Sequence, residues 1–313
     1  MAMLRTRWVV LAALGIVLGA CAGREGPRTA PSSGSKASFP VTLTDDDGQR
    51  VTLTVPPRRI VTFAPSNTEI VFALGLGRRL VGVSGKFDDY PAEARKIDQV
   101  GGSGEFGVDP NVEKLVSLHP SLMLTISGGD EWKKRVRDLG IPVFTINATG
   151  FEDLLHDIRT VGRLTGVPGR AAALTQRMAA RAKEIQAAVS EEPPVSCFFE
   201  AYYPPLTSVG PNTFIADLLN RAGCSSASAR ARSDYPEWSV DRLVKESPRV
   251  YLVASESGSS PAAVAKRPGF KAVAAVAAGR IFLIDSDLVS RPGPRVVEGL
   301  AALARVLHPG VTA

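Results

Sequence analysis

A long helical run near the middle of the chain constrains the fold most. Its first part, residues 151–164, has apolar side chains at the three- and four-residue spacing of an amphipathic helix. A break at 165–169 precedes a second part, residues 170–189, which has its own apolar stripe. At about 1.5 Å per residue, the second part alone extends roughly 30 Å, about the width of a small domain. Because strand-like and helix-like segments alternate on both sides, the run is predicted to be a rigid strut between two α/β lobes.

The chain is long enough for this organisation, since 313 residues with 44% hydrophobic content can bury a large core and are predicted to form two domains. The alternative, one more surface helix on a single large domain, stays open. The predicted fold class is α/β: two three-layer α/β lobes joined by one long bridging helix. The predicted boundaries are a signal peptide at 1–20, a lipidated flexible tether at 21–38, an N-terminal lobe at 39–150, a bridging helical segment at 151–190 and a C-terminal lobe at 191–313.

The first forty residues indicate export. Two arginines precede an apolar run, residues 8–18, that is too short for a good membrane span. The run ends in Leu-Gly-Ala-Cys, which resembles a bacterial lipobox, so Cys21 is predicted to be lipidated and to anchor the protein to a membrane. An ordinary secretory signal is the alternative. Residues 22–38 are rich in Gly, Pro and Ser and are predicted to be a flexible tether.

Net charge and cysteine content say less about the possible partners. The formal net charge is +6, but the basic residues are dispersed among acids, so no nucleic-acid partner is expected. In an exported protein Cys197 and Cys224 could form a disulfide. Two buried thiols are equally compatible with the sequence, because spacing does not supply the required geometry.

The two halves of the chain repeat each other. Residues 111–124 align with 239–252, each with an acid, a base, Leu, Val, a short gap, Pro and a strand. Residues 65–70, Pro-Ser-Asn-Thr-Glu-Ile, similarly resemble 210–215. The two matches occur in the same order on either side of the strut, which suggests two lobes of one design. Ser66 and Glu69 also have the spacing of a capping box at the start of a helix.

Catalytic and metal-binding motifs are scarce. The sequence has no HExxH, CxxC, G-x-S-x-G or P-loop, and its three histidines are His119, His156 and His308. No closely spaced set of histidines and carboxylates indicates a metal site. The protein is therefore predicted not to be an enzyme and to have no resident cofactor.

Loops at the carboxyl ends of predicted strands are the remaining candidates for a site, because open α/β sheets place ligands there. They contribute aromatic and apolar side chains and two charged ones. An aromatic-lined cleft of this kind suits a large, flat, partly apolar ligand. The alternative is that about half of these aromatics close the lobe cores. The residues are Phe87, Tyr90, Phe106, Tyr202, Tyr203, Leu206, Asp287 and Arg291.

Five segments carry a resemblance to a known family: residues 59–75, 80–84, 89–91, 139–143 and 205–210. They are similar to the periplasmic substrate-binding proteins of vitamin B12, siderophore and haem ABC importers. The resemblance extends over nearly the whole chain after residue 58, and around 85–150 and 203–224 it is nearest to the vitamin B12-binding branch.

The resemblance implies two α/β lobes that a long helix bridges, so that ligand binding involves only a small hinge motion. It also implies partners: an ABC permease dimer with its ATPase subunits, which a monomeric binding protein would meet with one lobe on each subunit. By the resemblance, Glu113 and Asp241 match carboxylates that dock into arginine pockets of the permease. Acids in a first helical turn are also favoured by the helix dipole alone, which is the simpler explanation.

Ligand contacts follow from the resemblance residue by residue. Phe106 lies in the loop where a vitamin B12 binder has a tryptophan that stacks on the corrin ring, and Leu206 replaces the aromatic after Pro-Pro. Asp287 matches an aspartate that hydrogen-bonds the ligand, and Arg291 lies in the same loop. Cys224 matches a half-cystine whose C-terminal partner is absent here, so the family's disulfide is not expected.

The sequence thus predicts a lipid-anchored, non-enzymatic receptor that captures a cobalamin-like corrinoid and delivers it to an ABC permease. Phe87, Tyr203, Phe106, Leu206, Asp287 and Arg291 are the predicted ligand contacts. The same role for another metal chelate, a ferric siderophore or haem, is the first alternative. A free-metal receptor is disfavoured because the cleft loops lack histidines, and an exported hydrolase because no histidine lies near those loops.

Overall fold

The structure, a computed structural model, describes residues 38–102 and 109–311. The predicted signal peptide, the lipidation site Cys21 and the predicted ligand contact Phe106 lie outside these ranges. Within them, no helix combines the length and the apolar character needed to cross a bilayer.

An antiparallel hairpin opens the described chain. It consists of β1 (Val41–Thr44) and β2 (Arg50–Leu53). Three consecutive aspartates at its turn bind the first lobe: Asp45 accepts from the backbone N–H of Thr145 at 3.0 Å, and Asp46 from that of Asn147 at 2.6 Å. Asp47 pairs with the buried Lys133 at 2.6 Å. The hairpin therefore carries three acids to the carboxyl end of the neighbouring sheet.

A four-stranded parallel sheet forms the first lobe. Its strands lie in the order β4-β3-β5-β6, and their near-continuous burial is typical of a sheet that is covered on both faces. The strands are β3 (Ile60–Thr62), β4 (Leu80–Gly82), β5 (Leu122–Thr125) and β6 (Val143–Thr145). The helices are α1 (Pro65–Ala73), α2 (Val112–Ser117) and α3 (Asp130–Asp138), with 3-10 turns at Gly77–Arg79 and Ala92–Lys96.

The predicted strut consists of two helices, α4 (Phe151–Thr165) and the 23-residue α5 (Pro168–Ser190). Gly166 ends α4 with φ +81°, a conformation that glycine adopts without steric cost, and Pro168 starts α5. The two helices pack against each other, and α5 also packs against the last helix of the chain. The predicted break at 165–169 is confirmed.

Contacts at both ends of α4 tie the two lobes together. At its beginning, the backbone N–H of Phe151 donates to Asp217, which belongs to the second lobe, at 2.8 Å. At its end, Arg79 of the first lobe donates to the carbonyl of Thr165 at 2.9 Å. Arg170, in the first turns of α5, donates to the carbonyl of Leu74 at 3.1 Å. The bridging helices are thereby fixed to both lobes.

A second four-stranded parallel sheet follows, in the order β8-β7-β9-β10. Its strands are β7 (Val195–Glu200), β8 (Cys224–Ser226), β9 (Val250–Ala254) and β10 (Ile281–Ile284). Its helices are α6 (Phe214–Arg221), α7 (Val240–Glu246), α8 (Pro261–Lys266), α9 (Ala274–Ala277), α10 (Ser286–Val289) and α11 (Val296–Leu307), with a 3-10 turn at Phe270–Ala272.

The two lobes share one design, as the repeat in the sequence suggests. In each sheet the first strand of the lobe lies between the second and third, and the fourth lies at the far edge. Asn111 and Ser239 cap α2 and α7 in the same way, each accepting from the backbone N–H three residues later. His119 and Ser247, at equivalent distances after these caps, both have positive φ, at 43° and 41°.

Two local expectations need correction, and the pairing of the two cysteines, which the sequence left open, is resolved. The capping box at Ser66 and Glu69 is wrong, because Pro65 begins α1 at the previous residue and Ala64 is the N-cap, which places Glu69 inside the helix. Cys197 and Cys224 form a disulfide between β7 and β8, with their Cα atoms 5.9 Å apart. Residues 286–291, expected as a loop, include the short helix α10.

One hydrophobic core runs through both lobes. It includes Ile60 and Leu122 of the first sheet, Leu155 and Ile185 of the bridging helices, and Leu252 of the second sheet. Since the bridging helices supply the middle of this core, the predicted α/β fold with two lobes joined by a long helix is confirmed.

Candidate ligand-binding cleft

A cavity of about 440 Å³ lies between the two lobes. The first lobe contributes the start of α1 and the segments after β5 and β6. The second lobe contributes the start of α6 and the segment after α10, and α4 supplies Asp157. These are the carboxyl ends of parallel strands, where open α/β sheets bind ligands. We call it the inter-lobe cavity. A second cavity of about 440 Å³ in the first lobe shares three lining residues with it, Ala64, Pro65 and Ile126.

Asn67, in the first turn of α1, lines the inter-lobe cavity with an unpaired side chain. It is only 1% exposed, and neither its amide nitrogen nor its amide oxygen has a hydrogen-bond partner in the part of the chain that the structure describes. A buried polar group without a partner costs about 1–3 kcal/mol. In the repeat, Asn67 aligns with Asn212, which lines the same cavity from the second lobe and is exposed.

Asp157 lines the cavity from the bridging helix α4. Its side chain is 4% exposed and makes no hydrogen bond or ion pair with the other described residues. Burial, which disfavours the charged carboxylate, raises the pKa of Asp157 to about 8, and the nearby carboxylates of Asp46 and Asp153 add to this shift. At neutral pH the group is therefore mostly protonated, so it can both donate and accept a hydrogen bond.

Arg291 lines the inter-lobe cavity with its charge already balanced. Its guanidinium pairs with Asp287 of α10 at 2.5 Å and with Asp89 of the first lobe at 3.2 Å. Burial nevertheless raises the pKa of Asp287, while Arg291 opposes that change. The pair that sequence reasoning singled out is thus brought together, and Arg291 also links the two lobes.

A second charged link between the lobes lies close by. Arg295, the N-cap residue of α11, donates to Glu69 of α1 through two bonds of 2.9 and 2.6 Å. The hydrogen bond to Glu69 is the main reason that the pKa of Arg295 is raised. The guanidinium also lies 3.9 Å from the ring centre of Tyr90. These three residues line a crevice of about 770 Å³ beside α1.

The other predicted ligand contacts lie elsewhere. Leu206 is buried in the core of the second lobe with Phe198 and Trp238, so the apolar side chain after Pro-Pro packs inward. The guanidinium of Arg267 lies over Tyr203, 3.5 Å from the centre of the tyrosine ring. Phe87 is half-buried, with the ammonium of Lys86 4.9 Å from its ring centre. None of the three lines the inter-lobe cavity.

The two predicted docking acids occupy equivalent places. Glu113 is the second residue of α2 and Asp241 the second residue of α7, and both side chains are exposed. Neither forms an ion pair or hydrogen bond with another residue within 38–102 or 109–311. Each lobe therefore presents one uncompensated acid on the same structural element.

Sequence reasoning missed the polar residues of the cavity, Asn67 and Asp157. The signal for Asn67 is that the repeat has an asparagine at the same position in both halves. The signal for Asp157 is that a charged residue lies within the apolar stripe of α4. No group of three or more His, Cys, Asp or Glu side chains that could hold a metal ion occurs among the described residues. The polar side chains of Asn67 and Asp157, beside apolar residues such as Ile126 and Phe214, suit the cavity to recognising a ligand by hydrogen bonds and apolar contact.

This architecture, two α/β lobes with a cavity between them and helices that bridge them, defines a two-lobed ligand-binding protein. The chain belongs to the periplasmic binding protein family, whose model matches residues 60–288. The family resemblance inferred from the sequence is therefore confirmed. Its members are substrate-binding proteins of ABC transporters, which act with a permease and its ATPase.

Two relatives and one solved structure illustrate the similarity. Over 311 residues the chain is 32% identical to YvrC, an uncharacterized ABC transporter substrate-binding lipoprotein of Bacillus subtilis, covering 96% of each chain. It is also 32% identical over 316 residues to a cobalamin-binding protein of Halobacterium salinarum, covering 96% of this chain and 84% of the relative. The periplasmic vitamin B12 binding protein BtuF of Vibrio cholerae has the same fold, with a TM-score of 0.70 at 21% identity, covering 80% of this chain and 97% of that one.

Proposed function

We propose that this protein captures a cobalamin-like corrinoid between its two lobes and delivers it to an ABC permease. The observation that carries the proposal is the inter-lobe cavity, which both lobes and α4 line with polar side chains. The cobalamin-binding relative, similar over nearly the whole chain, supports the choice of ligand. The protein acts by binding alone, without a catalytic step or a resident cofactor.

Spectral titration tests the choice of ligand. The purified full-length chain in detergent is mixed with cyanocobalamin, dicyanocobinamide, haem and a ferric hydroxamate in separate experiments. We expect saturable absorbance changes with the two corrinoids. Saturation with haem or the hydroxamate and none with a corrinoid would keep the transport role but replace the ligand.

Delivery to the permease involves Glu113 and Asp241. Both are exposed acids at the start of equivalent helices, one on each lobe. A binding protein that docks as a monomer would place one acid on each subunit of a two-fold permease. Complementary arginines on the permease would pair with these carboxylates, since the guanidinium fork matches a carboxylate.

A lipid on Cys21 anchors the protein on the outer side of a membrane, after removal of residues 1–20. The relative from Bacillus subtilis, itself described as a lipoprotein, supports this proposal. Mass spectrometry of the membrane-extracted protein tests it. We expect an N-terminal peptide that begins at a lipid-modified Cys21, and a Cys21→Ser variant that is released from the membrane. An unmodified cysteine would contradict the anchor.

A further inference from the structure

The inter-lobe cavity contains two neutral polar side chains that nothing in the described protein satisfies. Asn67 has both amide atoms buried and unpartnered, and Asp157 makes no hydrogen bond to another described residue. Asn67 is on α1 of the first lobe, whereas Asp157 is on the bridging helix α4. Buried polar groups in folded proteins almost always find partners, so these two indicate what the cavity is built to hold.

Both side chains offer the same pair of hydrogen-bonding functions. An asparagine amide presents an N–H donor and a C=O acceptor, and a protonated carboxyl group presents an O–H donor and a C=O acceptor. A primary carboxamide of a ligand also has one donor group and one acceptor group. It can therefore form a reciprocal pair of hydrogen bonds with either side chain.

The charges around the cavity disfavour a carboxylate in the same place. Asp46 and Asp153 lie near enough to Asp157 to raise its pKa, and Asp234 also lines the cavity. The only guanidinium among the described lining residues belongs to Arg291, which is balanced by Asp89 and Asp287. A ligand carboxylate here would meet like charges without an unpaired cation.

We propose that Asn67 and Asp157 bind primary carboxamide groups on the rim of the ligand and so select an amide-edged macrocycle over a carboxylate-edged one. This inference rests on the proposed function. A corrinoid carries carboxamides around its ring, whereas haem carries two propionates. Asn67 and Asp157 would then distinguish a corrinoid from haem by hydrogen bonding, whereas apolar contacts in the cavity would favour both ligands.

The test compares two corrinoids with the same ring and different rims. Dicyanocobinamide carries carboxamides, and dicyanocobyrinic acid carries carboxylates in their place. Calorimetry measures both Kd values for the full-length protein and for Asn67→Ala, Asp157→Ala and Asp157→Asn. Glu152→Gln, an exposed position on the same helix, is the matched control. Circular dichroism melts verify that each variant is folded.

We expect the wild-type protein to bind the amide form at least tenfold more tightly than the acid form. Asn67→Ala and Asp157→Ala should each weaken amide binding about tenfold, whereas Asp157→Asn and Glu152→Gln should keep it, since asparagine retains a donor and an acceptor. The asparagine variant also guards against misfolding of the alanine variant.

Two failures are distinguishable. Equal binding of both corrinoids by the wild type, or unchanged Kd values in Asn67→Ala and Asp157→Ala, would overturn the carboxamide assignment and leave the proposed function standing. No binding of either corrinoid by the folded wild type would overturn both the proposed function and this inference.

Discussion

Arg295 of the second lobe holds Glu69 of the first in a two-pronged salt bridge, with N···O distances of 2.9 and 2.6 Å. The two residues are 226 positions apart in sequence, and the Glu69 side chain is only 2% exposed. A second pair, Arg291 with Asp89, links the lobes nearby. Ion pairs therefore connect the two lobes, in addition to the hydrophobic core around α4 and α5.

Removing the Arg295 side chain should strongly destabilise the protein. Arg295→Ala would leave the buried carboxylate of Glu69 uncompensated, and breaking such a pair costs about 3–5 kcal/mol. We expect a loss of about 3 kcal/mol in the free energy of unfolding, measured with urea. The control is Arg181→Ala, which removes an exposed ion pair with Glu184 and should cost less than about 1 kcal/mol. Equal effects of the two substitutions would contradict this prediction.

Asp157 should make the protein less stable as the pH rises. Its pKa is about 8 in the folded protein and near 3.8 when unfolded, so the unfolded state releases the proton first. The contribution of Asp157 to the free energy of unfolding is therefore fully present at about pH 4 and is lost progressively as the pH rises to about 8. Asp157→Asn should remove that loss and stabilise the protein by a few kcal/mol at pH 8, since each pKa unit corresponds to about 1.4 kcal/mol.

Urea unfolding at pH 5 and pH 8 measures this effect. The difference in stability between Asp157→Asn and wild type should grow with pH, whereas Glu152→Gln, an exposed site on the same helix, should show no such growth. A constant difference at both pH values would show that the carboxyl group of Asp157 titrates normally.

The disulfide between Cys197 and Cys224 should stabilise the second lobe. It closes a loop between residues 27 positions apart, and a crosslink of that size contributes about 3 kcal/mol by restricting the unfolded chain. We expect Cys197→Ala with Cys224→Ala to lower the unfolding free energy by that order. Corrinoid affinity should remain unchanged, since neither cysteine lines the inter-lobe cavity. A doubly substituted protein as stable as wild type would contradict the prediction.

Docking should depend on the two exposed acids and binding should not. Glu113→Ala with Asp241→Ala is expected to abolish uptake of radiolabelled ligand by cells while leaving its Kd unchanged. Glu131→Ala, an exposed acid in the first turn of α3, is the matched control and should leave uptake intact. Normal uptake by the double variant, or loss of binding, would overturn the docking assignment.

The sequence predicted those parts of the fold that depend on local pattern. The apolar spacing of α4 and α5, the continuous apolar strands and the repeat around Asn111 and Ser239 each need only neighbouring residues. The predicted bounds of the two helical parts, 151–164 and 170–189, agree with α4 and α5 to within two residues.

The parts that sequence reasoning missed depend on distant contacts. Glu69 fits a local capping box, yet its partner Arg295 comes from the other lobe. Leu206 follows two prolines in a loop, and only the packing of Phe198 and Trp238 around it makes it a core residue. Asp157 becomes distinctive through its burial, which the identity of the residue does not reveal.

Calorimetric titration of the purified full-length protein with cyanocobalamin tests the central claim most directly. We predict saturable one-to-one binding with a micromolar or lower Kd. The heat should disappear when the protein is saturated beforehand with dicyanocobinamide. No heat with cyanocobalamin, together with binding of haem or a ferric hydroxamate under the same conditions, would contradict a corrinoid receptor.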